Sequence, residues 1–124
     1  MTKRILLAAG GTGGHLFPAE ALAHELARRG HEVHLATDER AGRFSGCFPA
    51  AETHVVPSAT FGSRNPLAVA RSLLKLWTGL RTASALLRRL KPDVTIGFGG
   101  YPSVPPVLAA TQAGWPSMIH EQNA

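Results

Sequence analysis

The feature that most constrains the fold of this chain is the segment Gly10–Gly14, in which four of five residues are glycine. The segment follows a short apolar run, Arg4–Ala9, and precedes apolar residues that repeat at helical spacing. Glycine reaches positive φ and lets the backbone approach a ligand without an intervening Cβ. A strand, a glycine turn and a helix in this order predict the first unit of a parallel sheet.

The rest of the chain continues this alternation of strand and helix. The predicted elements are a helix with Pro18 in its first turn that ends at Gly30, strands at 33–37 and 53–56, a helix at 66–90 disturbed at Gly79, a strand at 94–97, a helix at 104–113 and a strand at 116–120. Residues 39–52 leave a short helix and a loop both open. The alternation predicts an α/β fold with an open, parallel, doubly wound, Rossmann-like sheet.

Three unusual segments lie at the predicted carboxyl ends of strands: Gly10–His15, Gly97–Ser103 and His120–Asn123. Ligands of open α/β sheets bind at that edge, so the three segments predict one composite site. Backbone N–H groups in a glycine turn before a helix suit a phosphate. Two such turns suit a ligand with several phosphates, or two phosphorylated ligands. The second turn could also be only a tight corner between strand and helix.

The first glycine turn matches neither common nucleotide-binding pattern. Counted from Gly11, the third glycine of a dinucleotide fingerprint would fall on Leu16, and no Gly-Lys-Ser/Thr follows. Asp38, after the second strand, could still bind a ribose, so a dinucleotide-binding module stays an alternative. His15 at the mouth of the turn could act as a general base near neutral pH, or only cap the helix or donate to a phosphate.

The other histidines and the single cysteine predict no metal centre. His31 and His34 flank the start of a strand, His24 and His54 are isolated in sequence, and no Cys/His cluster or acidic pair occurs. Cys47 is the only cysteine, so the chain has no intrachain disulfide, as is typical of a reducing cytoplasm.

The segment that contains the long predicted helix is strongly basic, with seven basic residues and no acidic residue from Arg64 to Lys91. A broad apolar arc shares this helix; its members are Val69, Leu73, Leu76, Trp77, Leu80 and Leu87. A basic helix with leucines and a tryptophan suits an anionic membrane surface, although the arc could simply pack on the sheet. The two roles could also share the arc, with part of it exposed near its start. Few aromatic residues interleave the basic ones, so no nucleic-acid partner is expected.

The three segments together resemble the MurG family of glycosyltransferases. The matching residues are Gly10–His15 with Pro18–Ala19, Gly97–Tyr101 with Ser103, and His120–Asn123, in the family's order and spacing. The resemblance implies the N-terminal domain of a two-domain GT-B enzyme on the cytoplasmic face of the membrane. Such enzymes transfer N-acetylglucosamine from UDP-N-acetylglucosamine, with inversion, to undecaprenyl-diphosphoryl-muramoyl-pentapeptide, without a cofactor or an obligatory metal.

The resemblance also implies roles for individual residues. His15 would be the base. The donor would contact Thr12, Gly13, Gly14 and Asn123. The acceptor diphosphate would contact Gly11, Gly99, Gly100, Tyr101 and Ser103. The membrane-docking patch would consist of Leu73, Lys75, Leu76, Trp77 and Leu80.

The length of the chain departs from the family pattern. It ends at Ala124, directly after the third segment, so we expect residues 1–124 to be a truncated, acceptor-side N-terminal domain. The C-terminal donor-nucleotide domain would be absent and the fragment alone inactive. A non-catalytic reading also stays open, in which the chain is the membrane-anchoring and acceptor-binding half of a split glycosyltransferase.

Overall fold

A computed structural model describes residues 2–10, 13–38, 48–59, 62 and 64–120. The elements in these ranges are β1 (Arg4–Ala8), α1 (Gly13–Arg28), β2 (Glu32–Thr37), β3 (Glu52–Val55), α2 (Pro66–Leu90), β4 (Val94–Gly97), a 3-10 turn (Tyr101–Ser103), α3 (Val104–Gln112) and β5 (Ser117–Ile119). The strands form one sheet in the order β3-β2-β1-β4-β5, and every neighbouring pair is parallel. The predicted α/β fold with an open parallel sheet is confirmed.

Helices cover both faces of the sheet, and each face has an apolar cluster. The cluster that includes α1 contains Ile5, Leu7, Ala9, Leu16, Ala19, Ala23, Val33, Leu35, Phe48 and Phe98. The cluster that includes α2 and α3 contains Leu6, Ala8, Ala36, Val56, Ala83, Leu86, Leu87, Leu90, Ala109 and Ala110. Successive residues of β1 therefore point into different clusters, which explains why the sequence of this central strand is apolar without alternation.

Helix α1 begins at Gly13, five residues before Pro18, so the prediction that Pro18 lies in the first turn is wrong. Proline inside a helix removes one backbone hydrogen bond. Leu16 is fully buried in helical register with Ala19 and Ala23, which are also fully buried. Burial of this face offsets the lost hydrogen bond because a buried leucine alone contributes about 1.5–3 kcal/mol.

Helix α2 runs without interruption through Gly79, so the predicted disturbance there is wrong. Asn65 caps the helix through its side-chain oxygen, which accepts from the N–H of Leu67 at 2.9 Å. Gly79 is buried, and a Cβ at this position would lie 2.0 Å from the carbonyl oxygen of Pro57 and 3.1 Å from Cγ of Pro105. Gly79 therefore lets the segment after β3 pack directly on the helix backbone.

We expect Gly79→Ala to lower the free energy of unfolding by at least about 2 kcal/mol, because the new methyl group must displace backbone. Urea denaturation of the chain would measure the loss. Gly62→Ala is the matched control, since nothing lies within 4 Å of a Cβ built there. Equal stability of the two variants would contradict the prediction.

Candidate functional site

The two glycine turns, called bends from here on, begin at Gly10 and at Gly97. Their described residues lie side by side, because β1 and β4 are paired in the sheet with Ala8 opposite Gly97. The pairing continues past the strands: the N–H of Phe98 donates to the carbonyl of Ala8 at 2.8 Å, and the N–H of Gly10 donates to the carbonyl of Gly99 at 3.1 Å. The expectation that both bends meet at neighbouring strand ends is confirmed. The described residues of the two bends, Gly10 and Gly97–Gly100, are thus joined by backbone hydrogen bonds at the carboxyl edge of the sheet.

Gly100 shows why the bends are rich in glycine. Its φ is +80°, a conformation that other residues rarely adopt. A Cβ at Gly100 would lie 3.0 Å from Cα of Gly10 and 3.2 Å from Cδ2 of His15. The absence of side chains thus lets the two bends and the imidazole of His15 pack against each other.

His15 lies in the first turn of α1, and the second bend fixes the orientation of its ring. Its Nδ1 is 3.2 Å from the carbonyl oxygen of Phe98. A carbonyl oxygen only accepts hydrogen bonds, so Nδ1 carries the proton of the neutral ring and the lone pair is on Nε2. His15 is partly exposed. This arrangement gives the site a proton acceptor in a defined tautomer.

Ser103 and Tyr101 occupy the 3-10 turn that follows the second bend, and their environments differ. Ser103 is buried and its hydroxyl donates to the carbonyl of Gly100 at 2.9 Å, so it braces the bend. Tyr101 is half exposed at the edge of the sheet. The predicted contacts of both residues with a diphosphate stay predictions.

A cavity of about 690 Å³ opens beside Tyr101 at the same edge of the sheet. Its lining joins the ends of β2 and β3 to the first half of α2 and consists of Asp38, Val55, Val56, Pro57, Ser58, Ala59, Arg71, Ser72, Lys75 and Tyr101. Arg71 and Lys75 are one helical turn apart, so both cations can approach one anionic ligand. Arg71 is one of the seven basic residues counted between Arg64 and Lys91, and no site role was predicted for it, although its spacing from Lys75 was the available signal.

The third predicted segment begins next to the second bend. The N–H of His120 donates to the carbonyl of Gly97 at 2.8 Å. The ring of His120 lies 5.2 Å, centroid to centroid, from the ring of Phe98, which is buried. The described part of this segment therefore contacts the bend that orients His15. The predicted site residues Gly11, Thr12 and Asn123 lie outside the described residues, whereas Gly13 and Gly14 form the start of α1.

The two halves of α2 have different environments. The buried residues are Gly79, Ala83, Leu86, Leu87 and Leu90, all in the second half. In the first half Leu73 and Trp77 are 54% and 55% exposed, and Lys75 is exposed too, whereas Leu76 and Leu80 are partly buried. The arc is therefore divided as the shared alternative predicts, with its start exposed and its end packed, because the helix approaches its neighbours through the small residues Gly79 and Ala83.

The exposed apolar side chains of α2 lie among basic ones. The guanidinium carbon of Arg81 lies 4.9 Å from the ring centroid of Trp77. Leu74 is exposed beside Leu73. Among the described residues, no helix is both long enough and apolar enough to cross a bilayer.

His54 is not isolated, contrary to the prediction from the sequence. Its Nε2 lies 3.2 Å from Nδ1 of His34, which is buried in β2, and Glu52 is close to both. Burial lowers the pKa of His54, an effect that the nearby carboxylate of Glu52 opposes. The sequence missed this cluster because only the register of β2 and β3 brings together residues twenty positions apart.

We expect neutral His15 to carry its proton on Nδ1, because the carbonyl of Phe98 accepts from that nitrogen. Long-range ¹H–¹⁵N correlation spectra of the chain at pH 8 would identify the tautomer. His24 is the internal control: its exposed Nε2 faces the carboxylate of Glu20 at 3.6 Å, which favours a proton on Nε2. A spectrum with the proton of His15 on Nε2 would exclude the proposed orientation.

The glycosyltransferase family 28 N-terminal domain matches residues 5–124 of the chain. Over 120 residues the chain is 72% identical to the UDP-N-acetylglucosamine--N-acetylmuramyl-(pentapeptide) pyrophosphoryl-undecaprenol N-acetylglucosamine transferase of Rhizobium meliloti, with 97% of this chain and 32% of the relative covered. The same-named protein of Agrobacterium fabrum is 68% identical over the same shares of both chains. The chain thus spans about a third of the length of these relatives.

Among solved structures, the MurG of Acinetobacter baumannii superposes with a TM-score of 0.81 at 32% identity, covering 98% of this chain and 36% of that one. A Streptomyces glycosyltransferase complexed with thymidine diphosphate superposes with a TM-score of 0.65 at 25% identity, covering 96% of this chain and 38% of the other. The parallel sheet with its helices is therefore a fold that known sugar transferases share.

Proposed function

Because the chain belongs to glycosyltransferase family 28, we propose that it is the acceptor-side part of an N-acetylglucosaminyltransferase of peptidoglycan synthesis. The whole enzyme would transfer N-acetylglucosamine from UDP-N-acetylglucosamine, with inversion, to undecaprenyl-diphosphoryl-muramoyl-pentapeptide. One observation carries the proposal. The two glycine bends are joined by backbone hydrogen bonds, and the ring of His15 packs against Gly10 and Gly100. The names of the Rhizobium and Agrobacterium relatives support this choice of sugar and acceptor.

The reaction needs one in-line displacement, and His15 supplies the base for it. The acceptor hydroxyl oxygen forms a bond to the anomeric carbon, the bond from that carbon to the diphosphate breaks, and UDP leaves with the electron pair. The hydroxyl proton passes to Nε2 of His15, the nitrogen whose lone pair the Phe98 contact preserves. The imidazolium so formed remains hydrogen-bonded to the Phe98 carbonyl.

The bends and the start of α1 would hold the charged parts of both substrates. In this proposal Gly11, Gly99, Gly100, Tyr101 and Ser103 border the acceptor diphosphate. Thr12, Gly13, Gly14 and Asn123 border the donor sugar. The positive end of the α1 dipole stabilises negative charge at this edge. Arg71 and Lys75, which line the adjoining cavity, extend the cationic surface.

The donor nucleotide would need a second domain across a cleft from this one. The relatives are about three times as long as this chain, which leaves room for such a domain in a whole enzyme. This assignment makes residues 1–124 the acceptor-side domain, and it predicts that they alone do not turn over substrate.

The exposed first half of α2 would attach the enzyme to the cytoplasmic face of the membrane. Leu73 and Trp77 present apolar surface to solvent. Arg81 lies over the Trp77 ring, and the exposed Lys75 adds positive charge on the cavity side of the same helix. An anionic bilayer offers both an apolar interior and negative headgroups to such a helix. Peripheral attachment would bring the site to its lipid-linked acceptor.

We expect His15→Ala to lower kcat by about 10²–10⁴-fold, because the acceptor hydroxyl loses its proton acceptor. The test uses a hybrid in which this chain replaces the corresponding segment of the Rhizobium meliloti relative, with UDP release as the readout. His24→Ala, at an exposed position of the same helix, should leave kcat unchanged. Normal turnover of the His15 variant would remove this residue as the base.

We expect the double variant Leu73→Ala with Trp77→Ala to weaken binding of the hybrid to phosphatidylglycerol vesicles by at least about tenfold, because apolar burial in the bilayer is lost. Vesicle co-sedimentation would measure the change. Leu108→Ala, which removes another exposed leucine on α3, is the control. Unchanged vesicle binding by the double variant would place the attachment surface elsewhere.

A further inference from the structure

A second cluster of reactive side chains lies away from the glycine bends. His34, Glu52 and His54 belong to β2 and β3, whereas the bends follow β1 and β4. Glu52 lies opposite His34 in the ladder and His54 lies two residues further along, so all three side chains share one face of the sheet. One ligand atom from each residue lies within 4.8 Å of the others.

We propose that His34, His54 and Glu52 bind a divalent transition-metal ion such as Zn²⁺. Two imidazole nitrogens and a carboxylate oxygen are a ligand set that zinc prefers, with water as the fourth ligand. Nitrogens each about 2.1 Å from a tetrahedral ion are about 3.4 Å apart. Nδ1 of His34 and Nε2 of His54 are 3.2 Å apart, close to that separation.

The distance from Nε2 of His54 to Oε2 of Glu52 is 3.9 Å. The side chain of Glu52 is half exposed, so a rotamer change can bring its oxygen to the ion. His34 is only 5% exposed and held by the sheet. The site therefore combines a fixed ligand with an adjustable one.

Glu32 provides the support that metal-binding histidines usually have. Its Oε2 lies 3.2 Å from Nε2 of His34, the ring nitrogen that faces away from His54. A carboxylate in this position accepts the N–H, fixes the ring and leaves Nδ1 as the ligand. Arg4 in turn pairs with Glu32, and this contact lowers the pKa of the Glu32 carboxyl group.

Without an ion, the same atoms form a chain of hydrogen bonds. A guanidinium nitrogen of Arg89 lies 3.3 Å from Nδ1 of His54 and donates to it, so the proton of His54 is on Nε2 and faces Nδ1 of His34. Metal binding at Nε2 of His54 replaces this histidine–histidine hydrogen bond. The proton of His54 is then on Nδ1, which no longer accepts from Arg89, so Arg89 moves away. The side chain of Arg89 is 60% exposed, so water can solvate it after that movement.

The test is metal binding by the purified chain with Cys47→Ser, which removes the only thiol. Co²⁺ should bind with 1:1 stoichiometry and give the visible absorption of a four-coordinate site, and Zn²⁺ should displace it. Titration against a chromophoric chelator then gives the Zn²⁺ affinity. This readout needs no second domain and no enzymatic turnover, so it is independent of the proposed transferase function.

We expect His54→Gln and Glu52→Gln each to reduce Zn²⁺ affinity by at least about tenfold, and Glu32→Gln by about 10–100-fold. Glu52 is exposed, so its variant should keep the fold, which far-ultraviolet circular dichroism checks. His24→Asn, which removes a surface histidine paired with Glu20, should leave the Zn²⁺ affinity unchanged. The proposal is overturned if the parent binds no stoichiometric ion, or if Glu52→Gln and His54→Gln both bind as tightly as the parent.

Discussion

The parallel pairing of β1 with β4 is the interaction on which the proposed site depends. These strands are far apart in the chain, and the long helix α2 lies between them in sequence. Their ladder extends beyond the strands, with Phe98 donating to Ala8 and Gly10 donating to Gly99. A sheet with another strand between them would separate the two bends by at least about 5 Å more and leave His15 without its carbonyl partner.

The same pairing links the packing of the core to the chemistry at the edge. Phe98 buries its ring in the apolar cluster that includes α1, and its carbonyl orients His15. Phe98 therefore has two roles. Its side chain anchors the second bend in the core, and its backbone carbonyl selects the tautomer of the His15 imidazole. The ring of His15 is thus oriented by a main-chain carbonyl, while the next residue, Leu16, is buried in the core and anchors the start of α1.

The alternation of strands and helices predicted the architecture, and the two glycine turns predicted the edge where the candidate site lies. The errors arose where tertiary contacts override local patterns. Pro18 is a typical helix-start residue, yet the burial of Leu16 extends α1 toward the sheet. Gly79 is a weak helix former, yet it is the residue that permits the contact with Pro57. The His34–His54 pair depends on strand register, which neither residue's local sequence specifies.

The contact at Gly79 has a mechanical consequence for the other half of α2. At this point the helix is packed between α3 and the segment after β3, whereas the residues before it form a more exposed arm of the same continuous helix, with a rise of 1.5 Å per residue. Lys75 on this arm faces the cavity and Trp77 faces solvent, within the same helical turn. In the proposed membrane-bound enzyme, a bilayer that holds Trp77 would therefore also fix the distance of the cavity from its surface, and the helix would set how far a lipid-linked acceptor must extend to reach the proposed site.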